Sequence, residues 1–197
     1  MVKAIGIAGS PRREGNSTVL LNAALKGAAS AGARVALIRL NDLTFRGCQA
    51  CEPCAPDGDC ILRDDLAPVF AALRLADVWI LASPIYRDGL SGQFKSFFDR
   101  CCCWEGRNRL PGTRRAAMIV AYADKEREDY RKVAETVPFY LSWMGDFGDV
   151  EVMAAPELGP AGAVSARPDL LAKAEALGRS LVGLAERSEG ETHQKPR

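Results

Sequence analysis

The stretch "VKAIGIAGSPRREGNST" (residues 2–18) decides how the rest of the chain is read. Its first seven residues form an apolar run with the length of a buried strand, stopped by Gly9, Ser10 and Pro11. A helix pattern begins at once in "NSTVLLNAALKGAASAG", with Asn16, Ser17 or Thr18 as candidate caps and Gly32 beyond its end. The alternation then repeats. Strands are expected at "ARVALIRL" (33–40), "VWILA" (78–82), "AAMIVAYA" (116–123) and "DVEVMA" (149–154). Between them, "DDLAPVFAALRLAD" (64–77) places Leu66, Val69, Phe70 and Leu73 on one helical face. Further helices are expected at "GQFKSFFDRCCCW" (92–104), at "REDYRKVAETVPFYLSW" (127–143), kinked or ended at Pro138, and at "PDLLAKAEALGRSLVGLAE" (168–186). Five strands alternating with five helices fit an α/β fold of three layers, α/β/α. A doubly wound five-stranded parallel sheet of order 2-1-3-4-5 is expected, with ligands at the switch point between strands 1 and 3. One domain over 1–187 is expected, with a cysteine-rich insertion at 46–62 and a polar, disordered tail at 188–197.

The whole chain narrows the chemistry. Its 197 residues carry a formal charge of +1, so no basic field calls for nucleic acid or an anionic membrane. No apolar run reaches the ~20 residues of a membrane helix, and the N-terminus reads as strand and turn rather than signal peptide. A cytoplasmic protein is the default expectation. The single histidine, His193, lies in the polar tail "ERSEGETHQKPR", which excludes a histidine-based triad or an imidazole zinc site within the domain. The chemistry therefore belongs to a cofactor, and no catalytic side chain is assigned.

The loop "GSPRREGNST" (9–18) has neither the lysine of a nucleotide P-loop nor dinucleotide G-x-G-x-x-G spacing. Its composition still suits an anion. Ser10, Asn16, Ser17 and Thr18 are side-chain donors, Arg12 and Arg13 add charge, and a helix N-terminus follows. The alternative is a plain capped turn. After the third strand, "ASPIYRDGLSGQFKSFFDR" (82–100) offers Tyr86 and the backbone of Ile85 to Gly89 to a flat ring. A phosphate pocket beside an aromatic wall points to a mononucleotide with a large planar ring, FMN being the first candidate.

Together these two motifs resemble the NADPH-dependent FMN reductase branch of the flavodoxin-like proteins, over roughly residues 1–105. The resemblance implies that Ser10, Arg12, Asn16, Ser17 and Thr18 hold the FMN phosphate. It also implies that Pro84, Ile85, Tyr86, Arg87 and Gly89 contact the flavin. After strand 4 many such proteins carry a glycine-rich turn; "AYADKERED" (121–129) departs from it, and no contact is carried over there.

The segment "GCQACEPCAPDGDC" (47–60) holds Cys48, Cys51, Cys54 and Cys60 in C-x2-C-x2-C-x5-C spacing. Successive C-x2-C steps let thiolates wrap one inorganic core, while Pro53, Pro56 and Gly58 keep the backbone irregular. Zinc, disulfides and free thiols are the alternatives. The segment resembles the iron–sulfur flavoproteins, which implies a [4Fe–4S] cluster on these four cysteines and a homodimer or homotetramer. Electrons would pass between flavin and cluster, from NAD(P)H or ferredoxin to a quinone-like or other acceptor. A cluster-free NAD(P)H-dependent FMN or quinone reductase, and a non-enzymatic electron carrier, are the rival functions. Phe94, Phe97, Phe98, Cys101 and Cys102 fall on one helical stripe and are expected in the core, which leaves Cys103 off it as a free thiol.

Overall fold

The computed structural model describes residues 1–51, 54, 58–125 and 128–192. The elements run β1 (Lys3–Ala8), α1 (Asn16–Ser30), β2 (Arg34–Arg39), α2 (Leu66–Arg74), β3 (Val78–Tyr86), β4 (Gly89–Leu90), α3 (Gly92–Arg100) and β5 (Leu110–Thr113). They continue with β6 (Arg115–Ala121), α4 (Glu128–Met144), β7 (Gly145–Asp146), β8 (Glu151–Ala155) and α5 (Pro168–Thr192). The main sheet has the order β2-β1-β3-β6-β8, all parallel. These are the five expected strands in the expected doubly wound order. Two features were not expected. β4 folds back antiparallel on β3 as a sixth strand, and β5 pairs with β7 in a separate two-stranded ribbon.

Helix boundaries fall within a few residues of those expected, with two differences. Of the two outcomes expected at Pro138, an end there is not met: α4 passes through it to Met144, and one interior helix bond lacks its N–H donor. α5 continues to Thr192, past 186 and into the expected tail, while His193 lies outside the described residues. Among the described residues no helix is long and apolar enough to cross a membrane.

The two faces of the sheet bury different chemistry. Alternate residues of the parallel strands point to opposite sides. Ile5, Ile7, Trp79, Leu81, Met118 and Val120 face α2, α3 and α4. That layer is aromatic: Trp104 stands 5.0 Å from Phe70 and 5.6 Å from Trp79 between ring centroids, and Phe147 stands 4.9 Å from Trp79. Trp79 Nε1 donates to the Leu73 carbonyl at 3.1 Å, so its one polar atom is satisfied. The other face, with Ala4, Ala8, Ile80, Ala82, Ala117 and Ile119, is covered by α1 and α5 and is built from small and aliphatic residues. There the helices nearly touch. A Cβ on Gly178 would overlap the Ala24 carbonyl, and one on Gly27 would overlap the Glu175 carbonyl.

This contact predicts a reversal of the usual glycine rule. Gly→Ala inside a helix ordinarily gains about 1 kcal/mol. Gly178→Ala is expected to lose about 1–3 kcal/mol net through overpacking, lowering the thermal midpoint by about 2–4 °C per kcal/mol. Gly183→Ala in the same helix, where a Cβ meets only the Arg187 side chain, is expected to raise it. Calorimetry of the two variants checks the signs; equal shifts would refute the helix contact.

Candidate functional site

The pairing of β1 with β3, register Ala8 to Ala82, delivers the chain from both strands at one edge of the sheet. Hydrogen bonds then stitch the two loops. Gly9 N donates to the Ala82 carbonyl at 2.7 Å, and Ser91 Oγ donates to the Gly9 carbonyl at 2.6 Å. The same Ser91 hydroxyl caps α3 by accepting from Phe94 N, and Ser91 N donates to Ser83 Oγ at 3.0 Å. Between the loops lies a cavity of about 200 Å³, bounded by Ser10, Arg12, Gly15, Asn16 and Ser17 on one side and Pro84, Ile85 and Tyr86 on the other. Residues of the two motifs singled out in the sequence thus share one cavity.

The first loop folds as a cradle around an open helix end, the arrangement an anion needs. Gly15 caps α1, and the first bond of the helix runs from Val19 N to the Gly15 carbonyl. The N–H groups of Asn16, Ser17 and Thr18 precede it and belong to the open helix end. Ser17 Oγ is buried and has no hydrogen-bond partner among the described residues, although it borders the cavity. A buried hydroxyl in that condition costs free energy unless a ligand or water meets it. Gly15 is needed for close approach, since a Cβ there would overlap Ser10 Oγ.

Two of the expected donors are used otherwise. Asn16 Nδ2 donates to the Leu158 and Pro160 carbonyls at 2.9 and 2.8 Å, and Asn16 Oδ1 accepts from Val164 N. Thr18 Oγ1 donates to the Arg12 carbonyl. These side chains brace the cradle, and the backbone N–H groups of both residues stand at the open helix end. Arg12 borders the cavity, whereas Arg13 turns away to pair with Asp42 at 3.0 Å.

On the opposite wall, β3 runs four residues past its expected end before turning. The turn pairs Ile85 with Leu90 and Tyr86 with Gly89. Arg87 and Asp88 take φ of 50° and 57°, the left-handed pair of a mirror-type two-residue hairpin. Arg87 sits exposed at its apex. Gly89 borders a neighbouring cavity of about 450 Å³ between α3 and α4, whose lining also includes Cys102. Sequence reading missed Ala121 at the end of β6, Tyr122 and Ala123 beyond it, and Leu158 and Gly159 after β8, all of which border the 200 Å³ cavity. Their signal was position alone: they lie at or beyond the carboxyl ends of β6 and β8, on the edge of the sheet where the cavity opens. The missing glycine-rich turn is replaced by two alanines.

Cys48, Cys51, Cys54 and Cys60 border a further cavity of about 230 Å³, and all seven cysteines of the chain are thiols. Among the described residues no three His, Cys, Asp or Glu side chains are drawn together for a metal ion; the sulfurs share the walls of one hollow. Burial, then the neighbouring Cys60, Cys48 and Cys51, push the Cys54 thiol up. In donor chemistry a set of four thiols around one hollow fits an iron–sulfur group, which would have to draw them to closer range.

The triple cysteine corrects the sequence reading. α3 tightens at its end into a 3-10 turn over Cys101–Trp104. Three residues per turn rotate the stripe. Cys103 is therefore buried with Cys101, while Cys102 leaves the core and meets Cys48, Sγ to Sγ 3.9 Å. Cys102 is a fifth thiol on the same hollow.

Comparison with known proteins bears on the family and the fold. The family model for NADPH-dependent FMN reductase matches residues 2–153. An iron–sulfur flavoprotein of Archaeoglobus fulgidus is 36% identical over 122 residues, covering 62% of this chain and 55% of that one. An iron–sulfur flavoprotein of Methanocaldococcus jannaschii is 40% identical over 99 residues, covering 50% and 51%. The chain thus matches about half the length of these curated relatives. In fold, it resembles an NAD(P)H:quinone oxidoreductase from Methanothermobacter marburgensis, with TM-score 0.66 at 19% identity over 91% of this chain and 98% of that one.

The rotated turn makes a prediction about thiol reactivity. Burial, then Cys60 and Cys54, lift Cys103 from 9.0 to about 12, a ~1,000-fold smaller thiolate fraction. In the reduced, metal-free protein, iodoacetamide is expected to label Cys48 and Cys51 first. Cys101 and Cys103 should react at least ~100-fold more slowly until the chain unfolds. Peptide mass spectrometry reads the order; Cys103 labelling as fast as Cys48 would restore the regular helix.

Proposed function

The chain belongs to the NADPH-dependent FMN reductase family, and from that premise we propose an FMN-dependent oxidoreductase that moves electrons between a reduced donor, NAD(P)H or ferredoxin, and an acceptor. FMN would occupy the cavity between the loop after β1 and the end of β3, and a [4Fe–4S] cluster would sit on Cys48, Cys51, Cys54 and Cys60. The observation behind the flavin site is the buried Ser17 hydroxyl, without a partner among the described residues, beside the N–H groups of residues 16–18 that precede the first helix bond of α1. The names of the curated relatives support the cluster.

When bound, FMN supplies the exchange of a hydride for single electrons, and an iron–sulfur cluster the one-electron steps. The residues of this chain bind and orient. Ser10, Ser17 and the N–H groups of residues 16–18 would hold the phosphate dianion, helped by the positive end of α1 and by Arg12. Asn16 would fix the loop after β8 against the cradle through its three hydrogen bonds. Pro84, Ile85 and Tyr86 would lie along the ring, with the Tyr86 face available for stacking. Ala121 and Ala123 would keep the other wall thin. The exposed aromatic cluster of Phe139, Tyr140 and Trp143 on α4, with ring centroids 5.2–5.3 Å apart, supports a homodimer or homotetramer.

Anaerobic purification with iron and sulfide analysis, followed by FMN titration, tests the two halves separately. FMN uptake is expected, and Ser17→Ala should weaken it by about 10- to 100-fold, the worth of a hydrogen bond to a charged group. NADPH consumption with a quinone acceptor favours the reductase; reduction by ferredoxin alone favours the carrier. Absence of iron in freshly reconstituted protein would leave the cluster-free reductase, and failure to take up FMN would end the flavin reading.

A further inference from the structure

Arg100, at the last position of α3, is a cation with 1% of its side chain exposed. A buried guanidinium is costly unless each of its five N–H groups is met. Here each nitrogen has partners. Nη1 donates to the Arg46 carbonyl and to Asp64 Oδ2, both at 2.8 Å. Nη2 donates to the Leu62 carbonyl at 3.4 Å and to Asp64 Oδ1 at 3.3 Å. Nε donates to Cys60 Sγ at 3.1 Å. Phe70 packs against the guanidinium, its ring centre 5.8 Å from Cζ.

The partners follow a plan. Arg46 stands two residues before Cys48; Leu62 and Asp64 stand two and four residues after Cys60. Arg100 therefore ties both ends of the cysteine loop to α3. Asp64 reinforces the tie by accepting from Arg46 N and Leu66 N, and Asp65 does so by accepting from Thr44 N at 2.7 Å. Asp64 takes the two terminal nitrogens, so the ion pair is closed on itself. What remains for the sulfur is one directed N–H, fixed by the other bonds.

We infer that Arg100 is a positioning residue for the iron–sulfur site. Its Nε–H, oriented by four hydrogen bonds to the ends of the cysteine loop, bonds the Cys60 sulfur and raises the reduction potential of the cluster carried there. The inference rests on reading the cysteine loop as an iron–sulfur site. A hydrogen bond to a ligating sulfur withdraws electron density, and it strengthens when the metal group gains an electron and its sulfurs become more negative. Reduction is thereby favoured, with no bond to the metal made or broken. Lysine cannot replace this arrangement, because it offers three donors from one nitrogen instead of a planar fork.

The experiment uses the full-length protein, reconstituted anaerobically with iron and sulfide and loaded with FMN. Iron is counted first, then the midpoint potentials of cluster and flavin are measured by redox titration followed by electron paramagnetic resonance and visible absorbance. Arg100→Lys and Arg100→Gln with iron equal to wild type are expected to show a cluster potential shifted negative, with the flavin potential unchanged. Equal iron and an unchanged cluster potential would overturn the inference. If both variants lose iron, wild type grown with arginine labelled by nitrogen-15 in the guanidinium decides. A nitrogen-15 coupling in the pulsed spectrum of the reduced cluster supports the Nε–H···S bond, and its absence overturns it. Wild type that takes up no iron overturns both the iron–sulfur reading and this one, and the iron count separates that failure from an unshifted potential.

Discussion

The pairing of β1 with β3 is the constraint on which the rest of the molecule depends. Parallel strands side by side end at the same edge of a sheet, and a right-handed crossover sends each following helix away from that edge with its N-terminus pointing back. Once Ala8 stands opposite Ala82, the loops 9–15 and 83–91 have no choice but to meet. Ser91 then secures the meeting, because one hydroxyl serves Gly9 and the first turn of α3 together. The cradle, the hairpin and the cavity between them are consequences of that register.

The cysteine loop depends on the same arrangement one step removed. β2 pairs with β1 on the side away from β3, so the segment after β2 leaves beside the cradle. Asp64 and Asp65 join the ends of the loop to each other, and α3, which arrives from β3 through the hairpin, joins them to the domain by presenting Arg100 and Cys102 to the hollow. Burial acts to raise the Asp64 carboxyl, but its hydrogen bond to Arg100 and the Arg46 and Leu66 amides holds it below the usual range. The pair therefore stays charged across neutral pH. Its contribution is present above the unfolded carboxylate pKa near 4 and is lost only as acid passes the depressed value.

Sequence alone disclosed the parallel order because buried strands are recognisable as short apolar runs and the helices between them keep a 3.6-residue period. It disclosed the cradle because Gly15 followed by Asn16, Ser17 and Thr18 is local chemistry at a helix start. It could not disclose which donors were already engaged. Asn16 spends its amide on Leu158, Pro160 and Val164, more than 140 residues away, and no local pattern records such a partner. The hairpin was hidden because Arg87 and Asp88 adopt left-handed backbone without the glycine or asparagine that usually signals it. Cys102 and Cys103 exchanged places because a helix pattern assumes 3.6 residues per turn, and the last turn of α3 has three.

The uneven construction of the sheet's two faces bears on how the chain assembles. The aromatic side draws on α2, α3 and α4, which follow one another in the chain with strands of the sheet between them. The other side is closed by the first helix against the last, through glycines that permit no slack. That contact joins segments separated by nearly the whole chain, and each of the two helices also packs on the sheet they share. A chain in which the two helices part would uncover one apolar face of the sheet, a surface on which copies of the chain can associate.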